Sequence, residues 1–99
     1  MKKINNRLVE GVGFKVEMPN YHILMYYEGE RVIELGLVDT NNALGNVTMV
    51  PFSKPRWGLN YSIDFLSEEE KERVKTRVGK ALNLLGVKHK FDTNDALGN

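Results

Sequence analysis

Residues 67–86 read SEEEKERVKTRVGKALNLLG, and this stretch predicts one long amphipathic helix over residues 67–85. Ser67 and Glu70 have the spacing of a capping box, in which two side chains bind backbone N–H groups at the start of a helix. Gly86 follows the last apolar residue and is typical of the left-handed position that ends a helix. The apolar residues between these ends recur at helical spacing: Val74, Val78, Ala81, Leu82 and Leu85. Because one such helix cannot bury its apolar stripe alone, we expect it to lie across a sheet.

The residues before the helix alternate apolar and polar side chains with a period of two, which is typical of half-buried strands. Three strands are predicted: those over residues 12–18 and 31–38 from this alternation, and one over residues 21–27 from a run of aromatic and β-branched residues. They are joined by short turn signals at Pro19-Asn20 and Glu28-Gly29. Connections this short favour an antiparallel meander, because parallel strands need a long crossover.

The rest of the chain gives shorter signals. We predict a loop over residues 39–46, a fourth strand over 47–52, an irregular segment over 53–60, a short fifth strand or extended lead-in over 61–65, and a last strand over 87–91. The predicted fold is α+β: an antiparallel β-meander of four to five strands, then one long amphipathic helix packed on the sheet, then a short C-terminal strand. At 99 residues, we expect a single domain spanning residues 1–99.

The composition is that of an ordinary globular domain, with 41% hydrophobic and 27% charged residues. Cysteine is absent, which excludes disulfides, cysteine nucleophiles and thiolate zinc sites. The net charge of +1 is low for a dedicated duplex-DNA-binding domain. No apolar run of the length of a signal peptide or a membrane span follows the positively charged start. We therefore expect a cytoplasmic protein with no membrane partner.

Residues 39–46 (DTNNALGN) recur almost unchanged as residues 92–99 (DTNDALGN), with a single difference. The repeated unit is too short for a solenoid. Two interpretations stay open. The second copy is a duplication without a role, or it copies a contact of the internal loop, across a homodimer.

The sequence contains no arrangement that is typical of an enzyme or a metal site. Nucleophile elbows and phosphate-binding loops are absent. Asp39, Asn41 and Gly45 resemble part of a calcium loop, but the glycine is one position late and no acidic residue occupies the last position. His22 and His89 lack metal-ligand spacing. We predict no catalytic residues, no cofactor and no metal.

The segment over residues 53–60 is the best candidate for a binding surface. Pro55 restricts its backbone, and Phe52 and Leu59 are expected to tether its ends. A short braced segment loses little conformational entropy on binding, which suits an inhibitor. Arg56 on this segment offers a planar guanidinium that fits a carboxylate or phosphate-like group of a partner.

Five residues are predicted to contact a partner: Lys54, Arg56, Trp57, Asp39 and Asn41. Tryptophan and arginine dominate the binding energy of many interfaces, and Lys54 adds a positive charge beside them. Asp39 and Asn41 are expected to meet a basic partner surface. Trp57 has a second interpretation, in which it caps one end of the core beneath the folded segment.

Four short motifs together resemble those of a known family. They are residues 26–34 (YYEGERVIE), the isolated pair Arg56-Trp57, residues 66–71 (LSEEEK) and residues 81–86 (ALNLLG). Over roughly residues 21–91, the chain is similar to small immunity proteins of bacterial polymorphic toxin systems, in particular the family numbered seventy-four. The resemblance implies a cytoplasmic protein that binds and neutralises a cognate toxin domain, without catalysis.

An alternative function is that of a single-stranded nucleic-acid-binding module. Tyr26, Tyr27 and Trp57 on a curved, exposed sheet would stack on bases, and the basic residues of the helix would bind phosphates. Such binding weakens steeply as the salt concentration rises, because phosphate contacts release counterions. Nucleic acid is a predicted partner only under this alternative.

Overall fold

The structure is a computed structural model that describes residues 1–42, 45–59 and 63–93. One α-helix and ten β-strands lie within these residues. The strands are β1 (Lys2–Asn5), β2 (Leu8–Gly11), β3 (Phe14–Asn20), β4 (Ile23–Glu28), β5 (Arg31–Gly36), β6 (Val38–Asn42), β7 (Gly45–Pro51), β8 (Arg56–Trp57), β9 (Asp64–Phe65) and β10 (His89–Asp92), and the helix is α1 (Glu68–Leu84). The fold is therefore α+β, with a meander, one helix and a C-terminal strand, as the sequence predicts.

Strands β1 to β5 form an antiparallel sheet in which each strand pairs with its neighbour in sequence. This meander is confirmed, but it starts earlier than the strand predicted over residues 12–18. Val12 is exposed and forms, with Gly13 at a φ of 82°, the turn between β2 and β3. β1 is exposed along its length and β2 buries only Val9. Neither strand therefore has the alternation of buried and exposed residues that identifies a strand in a sequence.

Strands β6, β7 and β10 form a second sheet in the order β10-β7-β6. The loop predicted over residues 39–46 is wrong, because β6 and β7 pair antiparallel as far as Asn42 and Gly45. β6 is an edge strand with Val38 and Asp39 exposed, so its polar composition is compatible with strand pairing. The predicted C-terminal strand is confirmed as β10, which runs parallel to β7. The connection through α1 supplies the crossover that parallel pairing requires.

Strands β8 and β9 form a small antiparallel sheet within a segment that the sequence presents as mostly irregular. The Gly58 N–H donates to the Val32 carbonyl at 2.6 Å, which ties the end of β8 to the edge of β5. β9 corresponds to the end of the short strand predicted over residues 61–65, of which residues 61 and 62 lie outside the described residues.

The two copies of the repeated sequence begin on strands that flank β7 from opposite sides. Asp39, the first residue of one copy, lies on β6 opposite Thr48. Asp92, the first residue of the other copy, lies on β10 opposite Pro51. Residues 43 and 44 of the first copy and residues 94–99 of the second copy lie outside the described residues.

Both ends of α1 have the geometry that the sequence predicts. The Ser67 Oγ accepts from the Glu70 N–H at 3.1 Å, while the Glu70 carboxylate accepts from the Ser67 N–H at 2.8 Å. At the other end, the Val87 N–H donates to the Leu82 carbonyl at 2.9 Å, and Gly86 occupies the left-handed position at a φ of 76°. The capping box and the glycine-terminated ending are therefore confirmed.

One hydrophobic cluster joins the helix to the five-stranded and the three-stranded sheets. On α1, four residues of the predicted stripe are fully buried: Val74, Val78, Ala81 and Leu82. The sheets contribute residues from several strands: Val9, Val16, Leu24, Ile33 and Val50. Leu85 packs against this cluster from a partly exposed position. Because burying one large aliphatic side chain contributes about 1.5–3 kcal/mol, this stripe is sufficient to hold the helix on the sheet.

Candidate functional site

Residues 52–66 are anchored in the core at both ends and between them, over the part that the structure describes. The buried anchors are Phe52, Pro55, Trp57 and Leu66. The Leu66 N–H donates to the Pro55 carbonyl at 3.2 Å and joins two of these anchors through the backbone. The tether predicted at Phe52 is confirmed, whereas the tether predicted at Leu59 is wrong because that side chain is 47% exposed. The segment is thus braced by residues that alternate with its exposed positions.

Trp57 lies in the core, with only 2% of its surface exposed. The guanidinium of Arg31 lies 3.9 Å from the centroid of the indole ring, and the Tyr26 ring packs at a centroid distance of 6.3 Å. Trp57 Nε1 donates to Glu70 Oε1 at 3.3 Å. Of the two interpretations of Trp57, the structure therefore agrees with the core cap. The expected exposed anchor is corrected, because a tryptophan buried this deeply cannot reach a partner without moving.

Glu70 connects this core tryptophan to the start of the helix. Its Oε1 accepts from the Ser67 N–H and from Trp57 Nε1, and its Oε2 lies 3.3 Å from Nη1 of Arg31. The Ser67 backbone hydrogen bond, followed by the Trp57 hydrogen bond and the Arg31 charge, lowers the pKa of Glu70 below its usual value. One carboxylate therefore caps α1 and holds the indole at the same time.

A second polar cluster joins the middle of α1 to β4. Arg73 makes two hydrogen bonds to Glu28, from Nε to Oε1 at 3.2 Å and from Nη2 to Oε2 at 2.7 Å. The Tyr26 hydroxyl donates to Glu28 Oε1 at 2.6 Å. Arg77 Nη1 lies 3.0 Å from the Tyr26 oxygen and 3.3 Å from Glu28 Oε1. Hydrogen bonds that involve charged groups are among the stronger ones, so this cluster fixes the helix against the strand.

The pKa values of the cluster reflect these contacts. Partial burial alone would raise the pKa of Glu28, but hydrogen bonds from Tyr26 and Arg73 and the charges of Arg73 and Arg77 outweigh it, and the pKa lies below its usual value. Burial raises the pKa of Tyr26, and its hydrogen bond to Glu28 raises it further. Both groups therefore keep their usual charge state at neutral pH, with Glu28 ionised and Tyr26 protonated.

Sequence reasoning missed the Glu28 cluster. Its signal is spread over two distant segments: a glutamate two residues after Tyr26 on the same strand face, and arginines at positions 73 and 77, one helical turn apart. Each signal is common in solvated surfaces, and only the fold brings them together.

Exposed apolar and cationic side chains surround β8 and β9. We call this group the β8–β9 surface and define it by Lys54, Arg56, Leu59, Ile63 and Phe65. Ile63 is 85% exposed and Phe65 is 52% exposed. Arg56 pairs with Phe65 across the two strands, and its guanidinium lies 5.9 Å from the centroid of the Phe65 ring. The structure thus places Lys54 and Arg56 beside apolar residues that sequence reasoning did not assign to the site.

Asp39 and Asn41 lie elsewhere, on β6 of the three-stranded sheet. The Asp39 side chain is exposed and accepts from the Thr48 hydroxyl at 3.4 Å. Asn41 pairs in register with Asn46. The five predicted contact residues are therefore not brought together, and only Lys54 and Arg56 belong to the β8–β9 surface.

The aromatic residues that suggested nucleic-acid binding are not arranged as a stacking platform. Tyr26 and Trp57 are buried in the core. Tyr27 is half-buried, and Lys15 Nζ lies 4.9 Å from the centroid of its ring. Within the described ranges, no group of three or more His, Asp or Glu side chains is placed to hold a metal ion.

Comparison with known proteins identifies no relative of this chain. No protein-family model, no curated protein and no solved structure matches it. In the part of the chain that the structure describes, no helix combines the length and the apolar character needed to cross a membrane.

Proposed function

We propose that this protein is a bacterial immunity protein, which binds a cognate toxin domain in the cytoplasm and neutralises it without catalysis. The observation that carries the proposal is the β8–β9 surface. Phe65 exposes part of its ring near Arg56, and Lys54, Leu59 and Ile63 are exposed at neighbouring positions of the same segment. Protein interfaces combine an apolar centre with charged or polar groups around it, and arginine and aromatic residues are enriched in them.

The braced backbone beneath this surface supports an inhibitory role. Pro55, Trp57 and Leu66 are buried directly beside the exposed Lys54, Arg56 and Phe65. A surface that is already ordered loses little conformational entropy when it binds, so more of the contact energy remains as affinity. In this proposal Trp57 supports the surface from below, and Arg56 and Phe65 make the contacts.

The motif resemblance points in the same direction. Its motif over residues 26–34 contains Glu28 of the helix–strand cluster, and the Arg56-Trp57 pair forms β8. The motif over residues 66–71 contains Glu70, which binds Trp57. Two of the four motifs, the Arg56-Trp57 pair and residues 66–71, thus contain residues that brace the proposed surface, and this supports the proposal.

The test is binding to the toxin encoded next to this protein's gene, measured by calorimetry and by rescue of growth when both proteins are expressed. We expect stable complex formation, and the double variant Ile63→Ser with Phe65→Ser should bind at least about tenfold more weakly. Arg56→Ala should weaken binding by more than about 2 kcal/mol. Val12→Ser removes an apolar side chain that is more exposed than that of Ile63 or Phe65, in the β2–β3 turn, and serves as the control. Absence of binding, or equal losses in the control, would overturn the proposal.

A further inference from the structure

A cleft opens beside Phe65, between residues 53–55 and the first turns of α1. It is lined by Ser53, Lys54, Pro55, Phe65, Leu66 and Lys71, and its volume is about 250 Å³. Sites for drug-sized ligands and cofactors usually measure about 300–1,000 Å³. The cleft is therefore of a size that suits one protruding side chain of a partner rather than a cofactor.

The floor of the cleft is apolar and fixed in place. Pro55 and Leu66 are buried, and the hydrogen bond between the Pro55 carbonyl and the Leu66 N–H holds them together. Phe65 forms a half-exposed wall, with Arg56 packed near its ring. An apolar side chain that enters this cleft meets a surface that is already formed, so its burial is favourable without rearrangement.

The rim of the cleft carries positive charge. Lys54 is exposed, and among the described residues no carboxylate forms a salt bridge with it. Lys71 Nζ lies 2.9 Å from Glu68 Oε2, but the Glu68 side chain is 90% exposed. Such exposed pairs contribute little to stability, so Lys71 can exchange this carboxylate for one from a partner. The nearby Asp64 is oriented toward Arg31, at 3.6 Å.

We propose that this cleft accepts an acidic apolar anchor of the toxin: one aromatic or aliphatic side chain together with an adjacent carboxylate. The apolar group would occupy the space between Phe65, Pro55 and Leu66, and the carboxylate would bind Lys54 and Lys71. The inference deepens the proposed function and rests on it, because it names the partner chemistry that the β8–β9 surface selects. The two lysines at the rim disfavour a basic anchor through like-charge repulsion.

A small probe tests the cleft without the toxin. We expect 3-phenylpropionate to shift the backbone amide resonances of Lys54, Phe65, Leu66 and Lys71 saturably, with a Kd on the order of 1–10 mM for so small a ligand. The neutral 3-phenylpropan-1-ol and inorganic phosphate should each bind at least about tenfold more weakly. Equal binding of the alcohol, equal binding of phosphate, or no saturable shift would overturn the inference.

Charge reversal supplies the matched variants. Lys54→Glu should weaken binding of 3-phenylpropionate by at least about tenfold, whereas Lys80→Glu, which reverses an exposed charge farther along α1, should leave it unchanged. The same pair of variants is then measured against the toxin, with the same order of effects expected. If the toxin binds wild type and Lys54→Glu equally, the immunity function stands and the acidic anchor is wrong. If the probe binds as expected but no toxin does, the proposed immunity function is wrong, although the cleft still binds an acidic apolar ligand.

Discussion

Glu70 links two features that a sequence presents as separate. Its carboxylate completes the capping box with Ser67 and accepts the indole hydrogen bond of Trp57. Arg31 lies over the indole ring and also pairs with Glu70, so the charge, the ring and the cap form one unit. A change at Glu70 therefore acts on the start of the helix and on the support of the β8–β9 surface together.

Gly11 is constrained by the space around it, because the Phe14 ring occupies the position of a side chain. It lies opposite Phe14 across β2 and β3, and a Cβ at this position would be 2.2 Å from the Phe14 ring. The ring is held in place by stacking on Tyr26 and by Arg77, whose guanidinium lies 4.6 Å from the ring centroid. We expect Gly11→Ala to lower the free energy of unfolding by about 1–3 kcal/mol, because the ring must leave this position. Urea denaturation followed by circular dichroism measures the change.

Gly36 provides the matched control for this prediction. It is also a strand glycine, on β5, but a Cβ there has no neighbour within 4 Å. We expect Gly36→Ala to be neutral or slightly stabilising, because alanine loses less backbone entropy on folding. Equal destabilisation by both substitutions would show that the Phe14 contact is not the cause.

The helix is held on the sheets chiefly by its apolar stripe, and Leu82 tests this. Leu82 is fully buried within the cluster that joins α1 to the five-stranded and the three-stranded sheets. We expect Leu82→Ala to lower the free energy of unfolding by roughly 2–5 kcal/mol, through lost burial and the cavity that remains. A loss below about 1 kcal/mol in chemical denaturation would mean that the stripe does not carry the helix packing. Leu84→Ala, at a largely exposed position on the same helix, is the control.

At Gly79, in the same helix, we expect a substitution to stabilise the protein rather than destabilise it. A Cβ at this position would lie 3.5 Å from the Phe91 ring and 3.7 Å from Nε2 of His89, which are ordinary contact distances. Alanine therefore fits, and it has a higher helix propensity than glycine. We expect Gly79→Ala to raise the free energy of unfolding by about 0.5–1 kcal/mol, measured as a higher denaturation midpoint. Destabilisation would instead indicate that β10 must approach α1 more closely than these distances require.

The elements with strong local signals are the ones that could be predicted from the sequence. The ends of α1 depend on contacts within a few residues, Ser67 with Glu70 and Val87 with Leu82, and the sequence predicts both ends from the capping box and from Gly86. β6 could not be predicted, because an exposed edge strand needs no alternation and its polar residues are typical of loops. The burial of Trp57 stayed open, because an indole suits either a core or an interface until its neighbours are known.

The candidate site could be predicted only in part, for a related reason. Lys54 and Arg56 were identified from residue type and from the proline beside them. Phe65 and the cleft next to it depend on the pairing of β9 with β8, which is a two-residue contact with almost no sequence signal. Glu28 meets Arg73 only after α1 is packed on the sheet, so the contact spans 45 positions in the sequence.

The connection between β7 and β10 contains both the helix that completes the core and the surface proposed to bind the toxin. These strands pair in parallel, and the chain between them contains β8, β9 and α1. The β8–β9 surface therefore lies in a connecting segment, whereas the helix that follows closes the core. Binding surfaces are commonly found on such connections when a rigid scaffold positions them. Here the scaffold contacts that brace the segment are the buried Trp57 and the cap at Glu70.

The stability that the Glu28 cluster contributes, by joining α1 to β4 of the meander, should depend on pH. The folded-state pKa of Glu28 lies below the ordinary value of 4.5, so the folded protein binds fewer protons there than the unfolded chain does. Such a group adds stability above its unfolded pKa and loses that contribution as the pH falls through the folded pKa. We expect Glu28→Gln to be less stable than wild type near neutral pH, because two arginines lose their anionic partner. The difference should start to narrow as the pH falls below the ordinary value of 4.5, where the unfolded chain takes up the proton, and should be smallest below the lower folded-state pKa, where wild-type Glu28 is neutral in both states.

Urea denaturation followed by circular dichroism, repeated from about pH 7 to about pH 3, measures this difference. Glu30→Gln removes an exposed carboxylate from the neighbouring turn and controls for the loss of one negative charge. Its stability at neutral pH should stay within about 0.5 kcal/mol of wild type, as for surface substitutions without specific contacts. Within the cluster, the carboxylate of Glu28 is the group expected to titrate over this range. A difference between Glu28→Gln and wild type that stays constant at every pH would mean that shape, and not the ionised carboxylate, holds the helix at this point.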